Sequence, residues 1–190
     1  MTFADWCRSR RLAGAFTQIR EGDPLDDVVF AYGYDSYSGF REAFTKTFGV
    51  PPGQAESQRY IAVDLIETPL GLMVAGAVDE GLCLLEYCDR RSLERNYATL
   101  RQRFDSAVLP VSHPHLDALR TELGEYFAGE RTAFTVPLAL QGTPFQITVW
   151  EELQRIPHGE TIAYDELARR IGQPTAMRAV ARASGTNRIS

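Results

Sequence analysis

Two arginines one helical turn apart, Arg178 and Arg182, lie in a run of small residues, Ala176, Ala179, Ala181 and Ala183. Guanidinium groups stay charged and fit phosphate oxygens, and an alanine helix is slim enough for a bulky partner to come close. Arg169, Arg170 and Arg188 extend the run, so the last 22 residues hold five arginines and no acid. On a chain of net charge -5 this is a local basic stripe, and phosphate contact requires only one face. An Ala-rich core helix with solvated arginines is the competing reading. A second set lies near the N-terminus, where Tyr37, Ser38, Arg41 and Thr45 alternate with the phenylalanines Phe40, Phe44 and Phe48. Short hydrogen-bonding side chains with one arginine, early in a helix that follows a turn, can reach base edges in the major groove. A plain helical hairpin with a Phe core stripe is the alternative there.

Other reactive residues point to no chemistry of their own. Cys7, Cys83 and Cys88 have no metal-ligand spacing, and the sparse odd count suits a reducing cytoplasm. The expectation is packing or surface thiols. His113 and His115 flank Pro114; solvated loop histidines are the preferred reading over a metal pair. No stretch approaches the roughly 20 apolar residues of a membrane span. The first residues are polar and basic, without the apolar core of a secretory signal. No metal and no cofactor is expected.

The elements that carry these residues fall into three stretches. Residues 1–56 carry net charge -2, residues 57–141 net -4 and residues 142–190 net +1. In the first, Trp6, Leu12, Phe16 and Ile19 recur at helical spacing and predict a helix from Phe3 to Arg20. A second helix carries Leu25, Val28, Val29 and Ala31, with Asp23 as N-cap and Pro24 in its first turn. A third follows Asp35 or Ser36 and closes at Gly49, before Pro51-Pro52. Short helix, glycine turn and second helix make a helix-turn-helix. The middle stretch predicts a hairpin of Tyr60–Ile66 and Leu72–Ala75 across Thr68-Pro69-Leu70-Gly71, and a third strand at Gly81–Tyr87. Helices at 91–104 and 115–127 and a short strand at Phe134–Leu138 complete a small α+β scaffold. In the last stretch Thr143 caps a helix with Pro144 at N1 and an apolar face of Phe145, Val149, Leu153 and Ile156. A short helix with Tyr164, Leu167, Ala168 and Ile171 ends at Gly172, and a third runs from Thr175 to Ala183. The fold class is therefore α/β in the α+β sense, multidomain.

The run Ala31-Tyr32-Gly33-Tyr34-Asp35-Ser36-Tyr37-Ser38-Gly39-Phe40, with Phe44, Phe48-Gly49 and Pro52, resembles the second helix-turn-helix of AraC-type regulators. The preceding helix, with Trp6, Arg10, Arg11 and Ala15, resembles that family's joining helix. Thr143-Pro144-Phe145-Gln146, Val149-Trp150, Ile156-Pro157, Gly159-Glu160-Thr161, Tyr164, Leu167-Ala168, Ile171-Gly172, Pro174, Arg178-Ala179-Val180-Ala181, Ala183 and Asn187 together resemble the C-terminal, winged-helix-like domain of O6-alkylguanine-DNA alkyltransferases. Residues 57–141 resemble, more loosely, that family's ribonuclease-H-like domain. The order is that of Ada-like proteins; the zinc domain at their front is not among these residues.

The resemblance implies repair of O6-alkylguanine, and O4-alkylthymine, in double-stranded DNA. The alkyl group moves irreversibly to a protein cysteine, and transcription regulation is coupled to the repair. The damaged base would be flipped out of the duplex. Arg178 would fill the gap it leaves, Thr175, Ala179 and Arg182 would lie along the DNA, and Ala179 and Ala183 would keep that helix thin. Tyr164 would line the site. Asn187 would pin the active-site turn and the hydrogen-bond chain that ionises the thiol. Tyr37, Ser38 and Arg41 would read an operator, with RNA polymerase a further partner. A monomer in the bacterial cytoplasm, at the nucleoid, is the expected state. In the family a Pro-Cys-His-Arg run follows the Asn loop. None of the three cysteines lies in such a run, so residues 1–190 are expected to lack the acceptor and to be inactive alone. The last segment is expected to be marginally stable in isolation. The helix-turn-helix resembles the second of the family's two, the first is not among these residues, and it is expected to bind DNA weakly on its own. The alternatives are a non-enzymatic alkyltransferase-like sensor or an AraC-type regulator.

Overall fold

A computed structural model describes residues 3–57, 59–88, 104 and 106–189. The side chains of Trp6, Cys7 and Arg10, and the helix expected at 91–104 except its last residue, lie outside the described part. Helix α1 (Phe3–Arg20) buries Leu12, Phe16 and Ile19. Gly14 would be a weak choice inside a helix, but a Cβ there would lie 2.6 Å from the Tyr32 hydroxyl. Its bareness admits that ring.

Helix α2 (Leu25–Ala31) begins at Pro24, whose carbonyl accepts from the amides of Asp27 and Val28 at 3.0 and 3.2 Å. Asp23 is therefore not the cap. Its own amide closes the end of α1 by donating to Gln18 at 3.0 Å, and Pro24, held extended, occupies the cap position. Helix α3 (Tyr37–Phe48) is capped by Ser36, which accepts from the Gly39 amide at 3.3 Å, and stops at Gly49 in the left-handed region. Phe40, Phe44 and Phe48 are buried, and Phe16 packs against Phe44 and Phe48.

A 3₁₀ turn, Pro52–Ser57, leads into β1 (Tyr60–Thr68). With β2 (Gly71–Val78), β3 (Gly81–Tyr87) and β4 (Ala107–Leu109) it forms a sheet of order β3-β2-β1-β4. β1, β2 and β3 are antiparallel neighbours, and β4 runs parallel to β1, pairing Tyr60 with Ala107. β4 was not anticipated, being only three residues long. Helix α4 (Pro114–Phe127) covers one face with Leu116, Leu119 and Leu123. That core is continuous with the one formed by α1 and α3. Phe16 meets Tyr60 edge-on at 5.3 Å, and the Arg20 guanidinium lies 4.8 Å over the Tyr60 ring.

Two expectations for this stretch change. His113 is not a solvated loop residue. It is buried and caps α4, its Nδ1 accepting from the His115 amide at 3.2 Å. Burial and the neighbouring His115 lower its pKa below the ordinary 6.5, outweighing the opposing pull of Asp79. The strand expected at Phe134–Leu138 reduces to one bridge, between Leu82 and Leu138. Pro137 has no N–H to give a ladder, and the amide and hydroxyl of Thr135 both donate to the buried Glu122 carboxylate.

The last unit has its own core of Val149, Trp150, Leu167, Ala168, Val180 and Ala183. Helix α5 (Pro144–Leu153) opens with a capping box between Thr143 and Gln146. It ends before Ile156, which lies beyond the helix because a residue preceding proline disfavours helical backbone. Trp150, rather than Ile156, completes the buried face. Helices α6 (Tyr164–Arg170) and α7 (Met177–Ser184) follow.

Candidate functional site

The turn between α6 and α7 explains which side chains α7 offers outward. Gly172, at φ 74°, breaks α6 and lets the Gln173 amide return to the Ala168 carbonyl at 2.8 Å. α7 then starts at Met177, so Thr175 stands in the turn rather than in the helix. Val180 and Ala183 face the core. Met177, Arg178, Ala179 and Arg182 are exposed, as is Thr175 before them. Tyr164, the first residue of α6, is half exposed. The fold thus brings Thr175, Arg178, Ala179 and Arg182 to one outward-facing side. Ala183, on the opposite side, is buried in the unit's core.

The basic stripe is shorter than the sequence suggested. Arg169 bonds Asp165 at 2.7 Å and also Glu166. The hydrogen bond from Arg169 is the main reason the Asp165 carboxyl is held below its usual range. Arg170 lies 3.2 Å from Glu166 and 3.9 Å from Glu152. Acids just upstream of the stripe therefore neutralise half of the helical arginines. Arg178 and Arg182 form no ion pair among the described residues.

Asn187 sits just past α7, half buried. Its Nδ2 donates to the Ile189 carbonyl at 2.7 Å, and its Oδ1 accepts from the Ile189 amide at 3.3 Å. One residue along, the Arg188 carbonyl accepts from the Leu85 amide at 2.8 Å, so this turn is bonded to the outer edge of β3. Beside it opens a groove of about 850 Å³ lined by Leu82, Leu85, Tyr126, Phe134, Val136 and Asn187. Behind the turn stand Gln146 and Trp150, whose part the sequence did not disclose. The Trp150 indole donates to the Ala183 carbonyl at 2.9 Å, and Gln146 donates to Thr186 at 3.0 Å. The spacing Thr143…Gln146 signals the capping box, but no sequence signal shows that Gln146 also reaches Thr186.

On α3, Tyr37, Ser38, Arg41 and Thr45 are all exposed, opposite the phenylalanine stripe. Ser38 lies 3.3 Å from Ser36, its hydroxyl facing the cap. Two cysteines are located. Cys83 is buried in the sheet's second core, where burial pushes its thiol up to about 12. Cys88 packs at the edge of that core and is also raised by burial. Among the described residues no group of three His, Cys, Asp or Glu could hold a metal ion. No described helix is long and apolar enough to cross a membrane.

Three family models match in series. They are a helix-turn-helix domain over residues 1–58, the 6-O-methylguanine DNA methyltransferase ribonuclease-like domain over 61–140, and the DNA binding domain of the same enzymes over 144–190. A Salmonella typhimurium regulatory protein Ada is 32% identical across 96% of this chain, which spans about half of that regulator, 51%. A Mycolicibacterium paratuberculosis methylated-DNA–protein-cysteine methyltransferase is 39% identical over 126 residues, covering 66% of this chain and 70% of that one. The crystal structure of Mycobacterium tuberculosis OGT in complex with DNA superposes with a TM-score of 0.54 at 35% identity, over 66% of this chain and 70% of that one. The architecture is accordingly the α+β fold of those enzymes with a helix-turn-helix unit before it, and the chain belongs to the methylated-DNA–protein-cysteine methyltransferase family, in the Ada-like arrangement.

Proposed function

We propose that this protein repairs O6-alkylguanine, and O4-alkylthymine, in double-stranded DNA and couples that repair to sequence-specific transcription regulation. One observation carries the reading: α7 presents Arg178 and Arg182 outward with no ion-pair partner among the described residues, next to the Asn187 turn, which the Arg188 carbonyl bonds to β3. The helix would enter against the duplex, with Arg178 filling the space of the flipped base and Thr175, Ala179 and Arg182 following the backbone. Tyr164 would border the flipped base and donate its hydroxyl to the purine.

The chemistry is one displacement. A cysteine thiolate attacks the alkyl carbon on O6; the S–C bond forms and the C–O bond breaks. The electron pair leaves with guanine, which takes up a proton. No cofactor is consumed, and the protein stays S-alkylated. Cys83 does not suit this role, because a thiol at about 12 is ionised to only about one part in 10⁵ at pH 7. Tyr37, Ser38 and Arg41 would read an operator from α3, with RNA polymerase engaged through the same half. A monomer acting in the bacterial cytoplasm, at the nucleoid, fits this reading.

The test is transfer of a labelled methyl group from O6-methylguanine duplex DNA to the protein expressed from its own gene. One methyl per protein, on a cysteine outside positions 83 and 88, is expected. DNA binding without transfer would overturn the repair reading in favour of a non-enzymatic sensor.

A further inference from the structure

Gln146 uses both ends of its carboxamide. Its Oε1 accepts from the Thr143 amide at 2.9 Å, completing the capping box of α5. Its Nε2 donates to the Thr186 hydroxyl at 3.0 Å, forty residues further on. A hydroxyl has one proton, and that of Thr186 is committed to the Ala183 carbonyl at 2.8 Å. Toward position 146 the hydroxyl can therefore only accept. The same Ala183 carbonyl takes the Trp150 indole N–H at 2.9 Å. Helix α5 thus grips the C-terminal end of α7 at two points, and the residue after the second is Asn187. Asn187 in turn brackets Ile189 with both carboxamide atoms, and Arg188 is bonded to Leu85 on β3.

We infer that Gln146 is a positioning residue for the alkyl-transfer site: through Thr186 it fixes the Asn187 turn, and with it the backbone presented at the edge of β3. The purpose rests on the repair reading above; the geometry does not. The residue type follows from the two bonds. Glutamate serves equally well in a capping box, but it has no proton for Thr186. Asparagine lacks one methylene of reach, and alanine makes neither bond. The second bond is what requires glutamine.

Gln146→Glu separates the two roles, because the carboxylate still accepts from Thr143 and suits a helix N-terminus. Amide hydrogen exchange on the 190-residue chain, without DNA, is the measurement. Loss of one net hydrogen bond should speed exchange at Leu85, Asn187 and Ile189 roughly five- to tenfold. Ile147, whose amide donates to Thr143 within α5, should be unchanged. The Asn187 side-chain amide resonances should shift. Thr186→Val should reproduce the effect, and the double variant should go no further than the larger single change, as coupled partners do. Unchanged exchange at the three probes, or acceleration spread evenly through α5, overturns the inference. Failure of the repair reading would show elsewhere, as absent methyl transfer with the exchange effect intact.

Discussion

Arginine pairing within the last unit makes a quantitative prediction about DNA binding. Arg169 and Arg170 are held by Asp165, Glu166 and Glu152, whereas Arg178 and Arg182 are not paired among the described residues. Only the second pair has charge available to displace counterions from DNA. Each phosphate neutralised contributes about 0.9 to the slope of log K against log salt. Between 50 and 200 mM salt that is about 3.5-fold in affinity per contact, and about 12-fold for two. Arg182→Gln should therefore flatten the slope by about 0.9. Arg169→Gln, removing a charge already balanced, should change it by less than about 0.3 on the same scale. Fluorescence anisotropy of a labelled duplex at four salt concentrations measures both. Equal flattening by the two substitutions would refute the reasoning, because it would mean that the ion pairs of α6 open on DNA. A slope untouched by Arg182→Gln would remove α7 from the interface.

Other consequences can be checked separately. Arg178→Ala should lower affinity for duplexes containing O6-methylguanine more than for undamaged ones, by anisotropy; equal losses would reduce Arg178 to a phosphate contact. Methyl transfer to Cys83 or Cys88 should be undetectable by peptide mass spectrometry after incubation with methylated DNA, since burial raises both thiols. Tyr60→Ala removes the ring that Phe16 and Arg20 pack against and should cost about 1–3 kcal/mol. Calorimetry should then resolve a separate, earlier transition for the helix-turn-helix, against the single joint transition expected of the parent chain from its continuous core. For Glu122, burial raises the pKa, but the bonds from Thr135 and the charge of Arg131 outweigh it and leave the pKa below the ordinary 4.5. A depressed carboxylate stabilises above its unfolded pKa and loses that stabilisation as pH falls through the folded value. The melting-temperature deficit of Glu122→Gln should thus be full at pH 7 and close as the pH drops below 4.5; a deficit independent of pH would refute the assignment.

Local rules carried the reading furthest where a single helix decides the outcome. The spacing of Leu12, Phe16 and Ile19, the Ser36 cap, the Gly49 stop and the Thr143-Pro144 start each act within one or two turns, and the structure repeats them. Errors gathered where a long-range partner competes. Asp23 is the local exception: its amide closes the end of α1 and Pro24 takes the cap position. His113 became buried because α4 starts against the sheet. The run at 134–138 surrendered its strand hydrogen bonds to Glu122.

The residue types and spacings by themselves determined the helices of the two helix-turn-helix elements and the outward placement of Tyr37, Ser38, Arg41, Arg178 and Arg182, because helix periodicity fixes which side chains share a face; the family came in as a resemblance of motifs. Only the tertiary structure decided that Arg170 also meets Glu152 across the unit, that Ala183 faces inward, that Cys83 is buried inside the sheet, and that Gln146 reaches Thr186. Those facts depend on groups distant in sequence coming within hydrogen-bond range, and no local pattern encodes such a distance.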